Sequence, residues 1–571
     1  MVESWRSKLW DWMVWVLIYF PLFTGGVWYE RPGLFLELSE LAVPVLIVAF
    51  FGALFHFKFR DDLSRTSSLR LALRAWTWWN KLLTNQPKKA LFIGSLFFSV
   101  LWSLASLRRH WALGSGVADL GIFTNAIWNL THGGGYISSV KGGMNLFADH
   151  QSPIFWLLVP FYKLFPHAET LLIAQGIGLA LGAVPLYYIG KQYLGRHPWA
   201  AALPLLYWSY LPVRTANAFD FHPEVFMLPL FLAALAGLQS TIKTHRAWGL
   251  FGLILALGGK ESAGLVACGI GAGWLLGAGP ELTRNFTRKM GLALIPAGLG
   301  VFYFDTRIVP KMMGVEYAYN DNYKYLGSTL TEIVLSPFSK PRVFWSVVFG
   351  ITRIRFFIWA AAPLAFIPLL NWRAILAAVP AFAILFLSEG NHRVNPIYHY
   401  GIEPAVGLLW AMPGALLFLS RRKWKYALQV TTALMIFFCL FSYGRSELFR
   451  IRANSPTPRQ VWIRDKLLPC LTLLPTAASG SMVPHIADRH WANHLPRIQM
   501  PEEGGAKKFV DCVVYDPEIN NWPLSMDEYN VMMREMMALG YKEVYHCGSY
   551  VYQLSSAPDR QCLQCTPACN P

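Results

Sequence analysis

The chain has 571 residues, of which 54% are hydrophobic and only 15% charged, with 24 Trp and 38 Phe. A soluble protein carries roughly 25% charged residues, so this composition excludes an ordinary soluble enzyme. The formal charge of +17 would suit nucleic acid. In a chain this apolar, however, Lys and Arg collect in cytoplasmic loops, and no nucleic-acid partner is expected.

Apolar runs near the length of a membrane-spanning helix recur along the chain, so its first partner is the lipid bilayer. The alternation of a membrane β-barrel is absent, and helices satisfy their own backbone in lipid. The expected class is an α-helical polytopic membrane protein. The N-terminal "MVESWRSKLWDWMVWVLIYF" has a charged start and an apolar run but no small-residue cleavage site, and reads as an uncleaved first span. Apolar windows predict spans at 10–28, 40–57, 90–107, 168–188, 198–212, 223–240, 247–259, 261–278, 290–305, 354–370, 374–388, 401–419 and 426–443, about 13 transmembrane helices in all.

With the N-terminus in the cytoplasm, the inside loops are about threefold denser in Lys and Arg than the outside ones, as the positive-inside rule requires. "TRNFTRK" (283–289) and "SRRKWK" (420–425) are the clearest inside loops. Residues 60–89 form a basic amphipathic segment, either lying on the inner leaflet or serving as a linker that obeys the same charge rule. Residues 153–166 are short for a span and contain Pro160 and Lys163. They read as an interfacial helix inside a long first external loop, 108–167. A single helix through 247–278 would bury Lys260 and Glu261 at mid-bilayer, which is costly. Two short helices meeting at "GGKES" on the outer side fit better.

Beyond residue 443 the chain turns polar. "VDCVVYDP" (510–517) reads as a strand, "SMDEYNVMMREMMALG" (525–540) as a helix with a Ser cap and a terminal Gly, and "KEVYHCGSYVYQLS" (542–555) as alternating strands. Six of the eight cysteines lie here: Cys470, Cys512, Cys547, Cys562, Cys565 and Cys569. The tail "CLQCTPAC" has zinc-like spacing, but outside the cytoplasm disulfides are the expectation. Three units follow: a two-span extension with its basic segment (1–89), a transmembrane unit (90–446), and a small extracytoplasmic α/β domain with a Cys-rich tail (447–571).

On this topology the polar residues within apolar surroundings gather on the outer face. "NAFDFHPEVF" (217–226) places Asp220, His222 and Glu224 at alternating positions. They fit either the cap of a helix opening at Pro223 or a ligand set for Mg²⁺, Mn²⁺ or Zn²⁺. Asp119 fits a helix cap or a general base. His150, Arg214, Lys260, Glu261, Arg393, His399, Tyr400 and Glu403 are candidate substrate contacts, each with a structural alternative. Lys260–Glu261 also fits a simple ion pair at a helix junction, and "YAYNDNYKYLG" (317–327) either an interfacial tyrosine belt or a cover over a sugar.

The runs "DLGIFTNAIWN", "DHQSPIFWLLVPFYKLFP", "AFDFHPEVFMLPL", "LALGGKESAGL", "NPIYHYGIEP" and "LLPTAASGSMVPHIADR" resemble the DUF2079 family of predicted membrane proteins from bacteria and archaea, over roughly residues 90–555. That family in turn resembles the GT-C glycosyltransferase superfamily, which includes protein O-mannosyltransferases and the lipid A aminoarabinose transferase. Asp119, His150, Asp220 and Lys260 fall at matching places in the shared layout. The resemblance implies a catalytic base at Asp119, metal or donor contacts at Asp220, His222 and Glu224, and lipid-phosphate binding at Lys260. It implies a polyprenyl-phosphate-linked sugar as donor and a glycan, lipid or protein acceptor. The chain departs from the superfamily in lacking an Asp-x-Asp pair in the second loop.

The function expected is therefore an inverting membrane glycosyltransferase of the bacterial inner (cytoplasmic) membrane. Its N-terminus would be cytoplasmic and its C-terminal domain extracytoplasmic. A transporter or flippase, and a non-catalytic membrane protein that binds a lipid-linked glycan, fit the same composition.

Overall fold

The computed structural model describes residues 67–317, 319–422, 447–503, 506–555 and 560–569, and up to Ser420 they are mostly helical. The predicted spans 10–28, 40–57 and 426–443 lie outside the described residues. Among the described residues, four helices are long and apolar enough to cross a membrane: Pro87–Trp111, Ala168–Leu194, Glu281–Met312 and His399–Ser420. Two bent pairs raise this to six if each is one span. They are Pro341–Val348 with Ile351–Leu364, bent by 43°, and Ile367–Ile375 with Val379–Leu387, bent by 96°.

The other predicted spans are helices, but short ones. Pro198–Ser209 has 12 residues, Lys243–Leu257 has 15 and Ala263–Leu275 has 13. Pro223–Leu238 is likewise a short apolar helix. None reaches the ~20 residues needed to span alone. In three of them the apolar residues serve the core: Leu203, Leu206, Tyr207, Leu228, Phe231, Leu235, Val266 and Ile270 are buried against protein, whereas Lys243–Leu257 exposes Trp248, Phe251 and Ile254.

Pro87–Trp111 shows how the bundle is assembled. Pro87 opens the helix, where a missing N–H costs nothing. One face carries small buried residues, Ala90, Gly94, Ser95, Ser99, Ser103 and Ser106. It packs on Ala168–Leu181 so closely that a Cβ on Gly176 would sit 2.8 Å from Ser103 Oγ. Small residues allow such backbone approach in a membrane, where van der Waals contact drives association. The opposite face exposes Phe92, Phe97 and Val100, a surface suited to lipid. The helix Ser67–Asn85 brings Trp79 and Leu83, one turn apart, into the main core.

Helix Lys243–Leu257 stops before Gly258–Gly259, and the chain resumes as a helix at Ala263, so the predicted break at "GGKES" is present. Residues 153–164 form a 3₁₀ turn and a short helix. This segment buries Ile154, Phe155 and Tyr162 and exposes Trp156, Leu157, Phe161 and Leu164.

The C-terminal segment holds a five-stranded sheet ordered 492–494, 476–478, 512–515, 549–554, 541–547. The first three strands are parallel and the last two antiparallel. Gly548, at φ +71°, makes the tight turn of the final hairpin. Ser525 caps helix Met526–Ala538 in a capping box with Glu528. Disulfides join Cys470 to Cys565, Cys512 to Cys562 and Cys547 to Cys569, so the "CLQCTPAC" cysteines are taken up in cross-links.

This segment is built into the first loop of the transmembrane part. Asn125 Nδ2 donates to the carbonyls of Ala487 and Arg489 at 3.2 and 2.8 Å. Its Oδ1 accepts from the Ser139 backbone N–H at 2.7 Å. His485 stacks on His110 with ring centroids 3.8 Å apart.

Candidate functional site

Each polar side chain of the site comes from a break in the helical structure. Asp119 lies in a π-helical turn, Val117–Gly121, just before helix Ile122–Thr131. Asp220 and His222 lie in an extended link after helix Leu211–Ala218. Glu224 follows Pro223 in a 3₁₀ turn, Lys260 and Glu261 occupy the turn between two short helices, and His399 and Glu403 open helix His399–Ser420.

These segments converge on a buried ionic cluster. Asp119 Oδ1 lies 3.0 Å from His222 Nε2. The His222 ring stacks on His399 at 3.6 Å. His399 Nε2 lies 2.9 Å from Glu224 Oε1, which is 3.2 Å from Lys260 Nζ. Lys260 also faces Glu403 at 3.5 Å and lies 5.8 Å from the Tyr400 ring centroid. Both His222 nitrogens face oxygen acceptors, since Nδ1 is 3.1 Å from the Asp220 carbonyl. Only the imidazolium donates from both nitrogens, so His222 is a cation.

The electrostatics agree. Burial pulls the His222 imidazole down, but the Asp119 carboxylate outweighs it and pushes its pKa up to about 9. Burial likewise works to raise Asp119, and His222 overrides it, leaving the carboxyl below its usual range. Lys260 is stripped of water, yet Glu224 and Glu403 hold it above the ordinary lysine value. The Asp119 side chain keeps 26% of its surface exposed, against 5% for Glu224 and 3% for Asp220. Of these three carboxylates, Asp119 is the most open to the outside of the cluster.

A second cluster adjoins through the Lys260–Glu261 turn. His150 Nδ1 lies 3.2 Å from Glu261 Oε1, and Tyr317 donates to the same oxygen at 2.7 Å. Burial tends to raise Glu261, but His150 and these partners bring it down to about 2. Tyr319 donates to Asp149 at 2.9 Å and stacks on His150. Lys141 pairs with Asp149 at 2.9 Å. The Arg393 guanidinium lies 4.8 Å from the Tyr319 ring centroid.

Most of the predicted residues therefore meet: Asp119, His222, Glu224, Lys260, His399, Tyr400 and Glu403 in one cluster, and His150, Glu261 and Arg393 beside it. Two do not join. Arg214 is buried and pairs its Nε with Glu447 at 2.7 Å, which ties it to the segment after the transmembrane part. Asp220 turns to Arg109 and accepts from the Gly116 N–H at 2.6 Å. A Cβ at position 116 would crowd that carboxylate at 3.1 Å.

The expected metal triad is a correction. Among the described residues no group of three His, Cys, Asp or Glu side chains is placed to hold a metal ion. The 3₁₀ turn beginning at Pro223 ends the alternation that would have aligned Asp220, His222 and Glu224. Their donor atoms face Arg109, Asp119 and Lys260 instead, so this donor set does not fit a divalent cation.

Some supporting residues carry little sequence signal. Arg109 is one of several basic residues ending its helix. Gln175, fully buried in an apolar helix, accepts from the His222 backbone N–H at 3.1 Å. An isolated Gln amid apolar residues is the one sign that could have revealed it.

The fold and site define a mostly helical membrane protein whose helix breaks hold a buried ionic cluster. Residues 109–545 match the family described as "Predicted membrane protein (DUF2079)", and the chain belongs to that family. No curated protein matches the sequence. Among solved structures, the chain is similar in outline to ArnT from Cupriavidus metallidurans bound to undecaprenyl phosphate, with 14% identity and a TM-score of 0.48 over 82% of this chain and 98% of that one. It is also similar to the archaeal oligosaccharyltransferase AglB from Archaeoglobus fulgidus, in complex with an inhibitory peptide and a dolichol-phosphate. There the identity is 12% and the TM-score 0.35, over 81% of this chain and 74% of that one.

Proposed function

We propose that this protein is a GT-C-type membrane glycosyltransferase that moves a sugar from a polyprenyl-phosphate donor to an extracytoplasmic acceptor. The observation that carries this reading is the partly exposed Asp119 carboxylate, paired with His222 at the rim of a cluster that also holds Lys260. A base for a hydroxyl beside cations for a departing phosphate is what such a transfer needs.

In this reading Asp119 takes the proton of the acceptor hydroxyl as its oxygen attacks the anomeric carbon. The bond from that carbon to the phosphate oxygen breaks, the configuration inverts, and the lipid phosphate leaves with the electron pair. Lys260 shares its charge with Glu224 and Glu403. Arg393 lies against Tyr319 with no carboxylate partner among the described residues, so it is the freer contact for the phosphate. No step runs through a metal. The three disulfides support an oxidising compartment for residues 447–571, with the transmembrane part in a bacterial inner membrane.

The test is transfer of radiolabelled hexose from undecaprenyl-phosphate hexose by the protein reconstituted with envelope acceptors. Asp119→Asn should lower the rate by about 10²-fold or more. Undiminished transfer by that variant would sink the mechanism. Label delivered across proteoliposomes without covalent transfer would point to a transporter instead.

A further inference from the structure

Two acceptor atoms deep in the cluster have no hydrogen-bond partner among the described residues: His399 Nδ1 and Glu403 Oε2. Both residues are 4% exposed. An acceptor left bare at such depth is costly, and native structures rarely keep one without a reason. Here two occur four residues apart at the start of one helix, where such side chains are neighbours.

Their other atoms are committed, which fixes what the bare ones can do. His399 gives its Nε2 to Glu224 at 2.9 Å. With Nε2–H donating there, the neutral ring carries its lone pair on Nδ1. A second imidazolium stacked at 3.6 Å on the His222 cation would be repelled, so the neutral ring is favoured. Glu403 gives Oε1 to Lys260 at 3.5 Å and keeps Oε2 as a pure acceptor. A ligand that satisfies them must donate a hydrogen bond to each and carry no negative charge of its own at those points.

We infer that His399 Nδ1 and Glu403 Oε2 form a hydroxyl-accepting seat, the subsite for the polyhydroxylated ring of the substrate beside Lys260. This rests on the lipid-phosphate-sugar reading above. It assigns the reading of sugar hydroxyls to this helix start, and leaves the phosphate to other groups.

The test compares two probes, undecaprenyl phosphate and undecaprenyl-phosphate glucose, binding to the full-length protein in nanodiscs. The proteins are wild type, His399→Gln and Glu403→Gln. Gln at 399 retains an N–H for Glu224 but has no acceptor at the Nδ1 position, and Gln at 403 turns one acceptor oxygen into a donor. The wild type should hold the glucosyl lipid about tenfold more tightly than the bare lipid phosphate. Either variant should lose that advantage; affinity for undecaprenyl phosphate should stay within about twofold in His399→Gln and should not fall in Glu403→Gln, which relieves Lys260 of one carboxylate.

No advantage in the wild type, or an advantage kept by both variants, overturns the seat and leaves water as the partner of the two atoms. Loss of both lipids by both variants also overturns it. If the wild type binds neither lipid, the donor reading itself fails, and the seat with it. Should one variant not fold, the other carries the comparison.

Discussion

His222 and His399 stack face to face at 3.6 Å, and each turns its Nε2 to a different carboxylate, Asp119 at 3.0 Å and Glu224 at 2.9 Å. The stack couples a partly exposed rim carboxylate with a buried one that holds Lys260. A change in charge at Asp119 is therefore felt at the centre of the cluster through two rings.

The first prediction concerns pH. Burial lowers the His222 pKa and Asp119 more than offsets it, to about 9 in the folded protein, against roughly 6.5 for a free imidazole. A raised folded value means the stabilisation is fully present below about pH 6.5 and disappears as pH rises through about 9. The wild-type melting temperature should therefore fall between about pH 7 and about pH 9.5. In Asp119→Asn the fall should be much flatter, because the largest of the interactions that raise His222 against its burial is gone. Parallel melting curves for the two proteins would show that the pair does not stabilise the fold.

The second concerns the ion pair beneath the cluster. Asp220, 3% exposed, is held by Arg109 and the Gly116 N–H. Removing one partner of a buried pair typically costs about 3–5 kcal/mol, because the other charge is left uncompensated. Arg109→Met should destabilise the protein strongly. Asp220→Asn should do so less, since Arg109 still donates to the Gly114 carbonyl at 3.0 Å. The double variant Arg109→Met/Asp220→Asn should recover part of the loss. Thermal unfolding in detergent measures all three, and a double variant no better than Arg109→Met would contradict the pairing.

Much of this site was legible because charged residues inside apolar sequence are expensive and few. Asp119, His222, Lys260 and Glu403 stand out for that reason alone, and the break at Gly258–Gly259 follows from refusing to bury Lys260. What misled was periodicity. Asp220, His222 and Glu224 alternate as on a strand, but Pro223 starts a 3₁₀ turn that sends the side chains to separate partners. Apolar windows likewise cannot distinguish a helix facing lipid from one enclosed by protein, so 198–212 and 261–278 read as spans although their helices have 12 and 13 residues. Arg109 and Gln175 act through partners more than 40 residues away, a relationship no local pattern encodes.

The third prediction follows from Asn125, fully buried and bonded on both ends of its amide. It ties Ser139 in the first loop to the backbone at Ala487 and Arg489. Asn125→Leu leaves the two carbonyls and the Ser139 N–H without this partner, at about 1–3 kcal/mol each where water cannot reach. The loss should appear locally. Backbone amides at 487–492 should exchange hydrogen at least tenfold faster, a shift of about 1.4 kcal/mol in local opening. Unchanged exchange there would mean that other contacts hold the C-terminal segment in place.

The last concerns the cross-links. Cys470–Cys565, Cys512–Cys562 and Cys547–Cys569 close separations of 95, 50 and 22 residues. All involve the final residues of the chain, so together they pin the tail to the sheet and, through Cys470, to the turn that precedes it. Cys512 and Cys562 are 1% and 0% exposed. Replacing that pair by serine should cost about 2–5 kcal/mol, from lost restraint on the unfolded chain and from hydroxyls buried where sulfur packed. Peptide mapping of unreduced protein from native membranes should return these three pairings. Cys268, on an apolar helix and half-buried, should label with a membrane-permeant maleimide without reduction. If these six cysteines instead label as free thiols in freshly prepared membranes, residues 447–571 face a reducing compartment and the extracytoplasmic reading falls.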